Sequence, residues 1–167
     1  MNHRRYFQKG WFTIGLVAGI LAISVNTLLL KVADWIHLDI GHGGLLKFLH
    51  VSLQQYLNLS LPPASPGFKI AFHVFIGIAM ALFYTGFLES AFPSRLAGWM
   101  KGLLYAAIVW LLNALVILPS LGQGIAGINT LDMTGIIYYA FAHTTFFVLL
   151  AIIVSMMKKQ KESVRKA

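Results

Sequence analysis

The sequence predicts an all-α membrane protein: a bundle of four transmembrane helices with an amphipathic interfacial helix in its first outer loop. The chain has 167 residues, of which 58% are apolar, and its mean hydropathy is +0.76. Only 11% of the residues are charged, whereas a soluble domain carries about 25%. The apolar residues fall in four long runs, and about 20 helical residues cross a hydrocarbon core of about 30 Å.

The four spans are predicted at residues 11–30, 68–88, 102–118 and 135–157. Prolines, glycines and charged residues separate them, and the connections are too short for a further domain of typical size. The first run is longer than the apolar core of about 7 to 15 residues in a signal peptide, so we expect it to be retained. Residues 1–167 are therefore interpreted as a single membrane domain.

The first connection, residues 31–67, is too long to be structureless in a compact protein. Leu45, Leu49, Leu53 and Tyr56 recur at helical spacing, and polar residues fall mostly on the opposite face. This pattern is typical of a helix that lies in the membrane interface. Three prolines before the second span are expected to end this interfacial helix.

The distribution of lysine and arginine predicts the orientation of the chain. Ten of these residues belong to the N-terminal segment, the loop between the second and third spans, and the tail at 158–167. The other three are Lys31, Lys47 and Lys69. By the positive-inside rule, both termini are cytoplasmic and the first and third connections face outward. The net charge of +8 is thereby explained by membrane topology, and nucleic acid is not an expected partner.

A stripe of small residues marks one face of the second span. Gly77, Ala81 and Thr85 are four residues apart, so they lie on one side of a helix. Small residues at this spacing let a second helix approach closely in a membrane. We therefore predict a helix-packing face, and His73 continues the same stripe toward the outer surface.

Five polar residues are predicted in the outer half of the bundle, and each must face another polar group or water because lipid offers no hydrogen-bond partner. They are Asn26, His73, Asn113, Tyr139 and His143. Three interpretations stay open: hydrogen bonds that join the helices, a water-filled cleft that binds a small polar ligand or relays protons, and a haem held by His73 and His143.

No enzyme signature accompanies this polar cluster. The chain has no cysteine, which excludes disulfides, thiolate metal sites and cysteine nucleophiles. The sequence also has no paired intramembrane carboxylates, no P-loop and no dinucleotide fingerprint. We therefore predict no catalytic residues and no metal site, with haem as the single alternative cofactor.

A series of residues in fixed order carries a family resemblance: the run from His73 to Tyr84, then Phe92-Pro93, Gly98-Trp99, Gly102, Leu118-Pro119 and Phe141-Ala142-His143 before the basic helix end. Over about residues 70–160 this order resembles the YagU-like family of small bacterial inner-membrane proteins. The resemblance implies a multi-pass protein of the bacterial inner membrane without established enzymatic activity. It also implies that His73 and His143 match histidines of the family pattern. Tyr139 departs from that pattern, in which an acidic residue lies one turn before the last histidine.

Together these observations predict a non-enzymatic inner-membrane protein that is a subunit or stabiliser of a larger membrane assembly. Its expected partners are the lipid bilayer and either other membrane subunits or further copies of itself. One alternative is a small transport or proton-linked protein that uses the outer polar cleft. A second alternative is a haem-binding redox subunit.

Overall fold

The computed structural model describes residues 10–40, 44–59 and 62–166, and these residues form helices joined by short connections. The helices are α1 (Trp11–Trp35), α2 (Gly44–Leu57), α3 (Pro66–Ala91), α4 (Gly98–Ser120) and α5 (Met133–Lys166). The N-terminal cations counted in the topology prediction, Arg4, Arg5 and Lys9, lie outside the described residues, as do the side chains of Arg165 and Lys166.

Four of the helices, α1, α3, α4 and α5, are long and apolar enough to cross a membrane. The prediction of an all-helical chain with four membrane-length helices is therefore confirmed. Many large apolar side chains point away from the bundle, among them Leu28, Phe75 and Ile137, each more than 60% exposed. Such a surface fits a multi-pass membrane protein, since lipid tails solvate it without cost.

Each long helix extends past its predicted span. Helix α1 continues beyond residue 30, through Lys31 and Asp34, to Trp35. Helix α5 continues through the predicted basic tail to Lys166. A helix satisfies its own backbone hydrogen bonds, so it does not need to end where the apolar residues end.

The spatial order of the long helices is α3, α1, α5 and α4, because α1 packs against both α3 and α5, and α4 packs against α5. We call the end that holds α2 and the connection 121–132 the α2 end. The opposite end, with the connection 92–97, is the Glu89 end. Near the Glu89 end, Tyr84 of α3 stacks on Tyr105 of α4 with ring centroids 5.7 Å apart, and Tyr105 contacts Phe147 of α5 at 4.5 Å. These rings close the bundle there.

The small-residue stripe of α3 faces α1. Gly77, Ala81 and Thr85 are all buried, and α1 brings small residues of its own to the same contact. A Cβ atom added at Gly19 would lie 2.7 Å from the Cβ of Ala81, and one added at Gly15 would collide with the Thr85 hydroxyl. The two backbones are therefore as close as glycine permits.

Helix α2 forms within the range where the sequence predicts an amphipathic helix. Its first residue, Gly44, is buried near Leu118 of α4. Much of its apolar surface, including Leu49, Tyr56 and Leu57, is exposed. The helix thus has one buried residue, at its start, and its location in a membrane interface stays a prediction.

Two of the long helices contain one widened, π-helical turn each. In α3 this turn is Tyr84–Leu88, and in α4 it is Asn113–Ile117. Single π-helical turns occur often at functional sites. The first residue of each turn carries a buried oxygen, Tyr84 Oη and Asn113 Oδ1, that has no hydrogen-bond partner among the described residues.

Candidate functional site: a cavity at the α2 end

A partly enclosed cavity of about 760 Å³ lies at the α2 end, with lining residues from all five helices. Ligand pockets in proteins have volumes of about 300 to 1,000 Å³. Helices α3 and α4 meet near the Glu89 end, where Tyr84 stacks on Tyr105, and both helices contribute lining residues to the cavity.

All five polar residues that the sequence placed in one half of the bundle line this cavity: Asn26, His73, Asn113, Tyr139 and His143. We call them the polar wall. They come from α1, α3, α4 and α5, so the structure brings together residues that are more than one hundred positions apart in the chain. Their grouping in one cavity does not by itself distinguish a structural hydrogen-bond cluster from a binding site.

Asn26, which lines the cavity, and Tyr138 each form a hydrogen bond that joins α1 to α5. The Asn26 side-chain amide donates to the Ala142 carbonyl at 2.8 Å, which connects α1 to α5. Near it, the Tyr138 hydroxyl donates to the Leu29 carbonyl at 2.7 Å, across the same contact. For Asn26, the interpretation of the polar residues as hydrogen bonds that join the helices therefore fits the structure. Sequence reasoning missed Tyr138, because nothing in the sequence shows that α1 and α5 are neighbours.

The histidines of the polar wall are arranged differently. His143 Nδ1 lies 3.2 Å from the Tyr139 carbonyl oxygen. A carbonyl only accepts, so Nδ1 carries the proton in this bond, and in the neutral ring Nε2 remains an acceptor. The Tyr139 and His143 rings are in contact with centroids 4.2 Å apart. His73 of α3 lines the same cavity as His143 of α5.

Asn113 adds an unsatisfied acceptor to the polar wall. Its side chain is 9% exposed, and its Oδ1 atom has no hydrogen-bond partner in the described part of the chain. A buried polar atom without a partner costs about 1 to 3 kcal/mol. This atom is therefore a place where water or a ligand donor would stabilise the protein.

The rest of the cavity has two further regions. Its charged residues lie near helix ends at the α2 end, and we call them the rim: Lys31, Asp34, Asp39, Lys47 and Lys69. Its apolar walls are formed mainly by aliphatic and aromatic side chains, among them Ile23, Ile70, Phe72, Ile76, Met80 and Phe146. In the sequence the rim lysines served only as topology signals, because their convergence on one cavity depends on the helix arrangement.

Haem ligation by His73 and His143 stays a prediction. A histidine ligand commonly donates its other ring N–H to a carbonyl, and the His143 Nδ1 contact has this form. Among the described residues, no group of three or more histidine, aspartate or glutamate side chains could hold a metal ion.

A second polar site lies at the Glu89 end. The Glu89 carboxylate forms ion pairs with Lys101 of α4, at 3.4 Å, and with Lys158 of α5. The three side chains are only 17%, 9% and 18% exposed, respectively. The cluster ties three helices together beside the Tyr84, Tyr105 and Phe147 rings. The sequence places all three residues on one side of the membrane, but it gave no reason to pair them.

Comparisons of this chain with family models, curated proteins and solved structures give no match. The four membrane-length helices among the described residues make the chain compatible with a multi-pass membrane protein.

Proposed function

We propose that this membrane protein binds a small molecule in the cavity at the α2 end. The observation that carries the proposal is the convergence of a polar wall, a charged rim and apolar walls on one space of about 760 Å³. A few hydrogen-bonding groups set among mostly apolar surface are typical of ligand pockets. Packing alone would have favoured a filled bundle, since protein interiors leave few voids larger than a water molecule.

The rings at the Glu89 end bear on whether a ligand passes through the bundle. Tyr84, Tyr105 and Phe147 are all buried, and they fill the space between α3, α4 and α5. A path across the membrane would have to separate these rings and the Glu89 ion pairs. We therefore propose ligand binding as the activity of this conformation, and transport as an activity that needs a rearrangement at the Glu89 end.

The proposal includes the orientation that the lysine and arginine count predicts. With both termini in the cytoplasm, the α2 end faces the outer side, and the cavity receives its ligand from there. The bacterial inner membrane as the location rests on the YagU-like resemblance.

Two single cysteines in this cysteine-free chain test the orientation. Ser163 and Ile128 are exposed and lie at opposite ends of the bundle. We expect an impermeant thiol reagent added to intact cells to label Ile128→Cys but not Ser163→Cys, and both after the cells are opened. Ile128 suits the test better than the neighbouring Gly127, whose φ of +86° would strain a side chain. Labelling of Ser163→Cys alone in intact cells would reverse the assignment.

Two adjacent positions on α1 test whether the cavity admits water and small solutes. Thr27 lines the cavity, whereas Leu28 is 64% exposed on the outward face. A thiol reacts as the thiolate, which forms in water and not in lipid. In a bilayer we expect Thr27→Cys to react with a small water-soluble thiol reagent at least about tenfold faster than Leu28→Cys. Equal rates would contradict an accessible cavity, and with it the proposed binding site.

A second candidate function is the non-enzymatic subunit or stabiliser of a membrane assembly that the sequence predicts. One observation favours it: only 28% of the most apolar stretch of α3 is buried, against 33% to 39% in the other three long helices. Helix α3 thus leaves the largest share of its surface for lipid, a second copy or another membrane subunit. Both candidates are compatible, since a subunit can also bind a ligand.

A further inference from the structure

We propose that the ligand of the cavity is an anionic amphiphile, with its acidic head at the rim lysines and its apolar part along α3 toward Met80. This inference rests on the proposed function, because it names the ligand class for the same cavity.

The rim is cationic because its lysines come from three separate elements and outnumber its carboxylates. Lys31 lies on α1, Lys47 on α2 and Lys69 on α3, and all three line the cavity. The carboxylates that line it are Asp34 and Asp39. One-to-one pairing within the rim would therefore leave one lysine for an anion, and an incoming acidic group could also contact the others. Lysine suits phosphate or carboxylate as a flexible point charge.

The cavity is elongated along α3. Its lining includes Lys69, His73, Ile76 and Met80 of this helix, and the eleven residue steps from Lys69 to Met80 correspond to about 16 Å at the helical rise. On the facing helix α5 the lining runs from Tyr139 to Phe147. A small inorganic anion would occupy only the rim and leave most of this length empty, whereas an alkyl or isoprenoid chain would fill it.

The interior of the cavity has no charged side chain among the described lining residues. Beyond the rim, the lining consists of apolar side chains and of neutral hydrogen-bonding groups such as Asn113, Tyr139 and His143. A ligand with charges at both ends would place one of them in this region without a counter-ion, which is costly. A ligand with one acidic end and a long apolar part matches both regions.

Four probes in nanodiscs of zwitterionic phosphatidylcholine test the ligand class by the midpoint of thermal unfolding. They are dodecyl phosphate, the uncharged dodecanol, the cationic dodecyltrimethylammonium and inorganic phosphate. Binding to the folded state raises the midpoint. We expect a saturable rise with dodecyl phosphate and no comparable rise with the other three.

Matched variants locate the head group. Lys69→Gln and Lys31→Gln should each weaken the apparent affinity for dodecyl phosphate about fivefold, the effect of one lysine near an anionic group at a membrane surface. Lys159→Gln removes the same charge from an exposed position on α5 at the opposite end, and it should leave the affinity unchanged. Equal loss in all three variants would indicate a general charge effect and would overturn the assignment of the head group to the rim.

The remaining outcomes separate this inference from the proposed function. An equal rise with dodecanol or dodecyltrimethylammonium would overturn the anionic class and leave a cavity that binds apolar molecules. An equal rise with inorganic phosphate would overturn the amphiphile and leave a site for a free anion. No rise with any probe would overturn the inference. Failure of the proposed function itself would appear separately, as equal reaction rates of Thr27→Cys and Leu28→Cys.

Discussion

Glu89→Gln should lower the free energy of unfolding by about 1 to 3 kcal/mol, because it removes the carboxylate from a partly buried pair of ion pairs. Glu89 is the counter-ion of both Lys101 and Lys158. Lys101 is the more critical of the two, because its side chain is only 9% exposed. Without the carboxylate, two ammonium groups would remain beside each other at a poorly hydrated contact between three helices. The measurement is reversible unfolding of the purified protein in mixed micelles.

A double variant separates the loss of the charge pair from a loss of packing. In Glu89→Gln combined with Lys101→Met, the buried ammonium is absent, so we expect a substantial part of the lost stability to return. Lys101→Met alone should cost less than Glu89→Gln, since Glu89 keeps its contact with Lys158. A change of less than about 0.5 kcal/mol for Glu89→Gln, the size of an ordinary surface effect, would mean that water reaches the cluster freely.

The helices themselves could be predicted from the sequence because each membrane-length helix is a local property of apolar residues. Every backbone group in lipid must be satisfied within the segment, so a run of about 20 apolar residues has few alternatives to a helix. The bounds were less certain, as the extension of α1 through Lys31 and Asp34 shows. Those residues follow the end of the apolar run, and beyond it the apolar pattern no longer indicates whether the helix continues.

Contacts between helices were only partly predictable, because they depend on which helices are neighbours. The small-residue stripe that includes Gly77 can be seen in the sequence of α3. Its partners Gly15 and Gly19 can be identified only when α1 is known to pack against α3. The same holds for the Glu89 cluster and for the rim lysines, whose members come from three elements each. The polar wall was easier to predict, since a polar group deep in an apolar run has to face the bundle interior wherever its partner lies.

Gly102→Ala should be the most destabilising of three matched glycine substitutions, because its new methyl group would meet backbone atoms. A Cβ atom at Gly102 would lie 2.7 Å from both the Phe147 carbonyl oxygen and the Val148 Cα of α5. Those atoms can move only if α4 and α5 separate. Forced overpacking costs about 1 to 3 kcal/mol, and the higher helix propensity of alanine would offset up to about 1 kcal/mol.

Gly77→Ala and Gly67→Ala serve as controls, for which we expect successively smaller losses of stability. At Gly77 the new Cβ would meet the side chain of Ile23, with the closest atom, Cδ1, at 2.5 Å. A change of the Ile23 rotamer can move Cδ1 and Cγ1 but not its Cβ at 3.1 Å, so we expect a cost that is smaller than at Gly102 but not negligible. At Gly67 nothing lies within 4 Å, so alanine should be neutral or slightly stabilising. The expected order of destabilisation is therefore Gly102→Ala, Gly77→Ala and Gly67→Ala, measured by thermal unfolding in detergent. Should Gly102→Ala prove as stable as Gly67→Ala, the close contact of α4 with α5 would be wrong, since no side-chain rotation can relieve a clash with backbone.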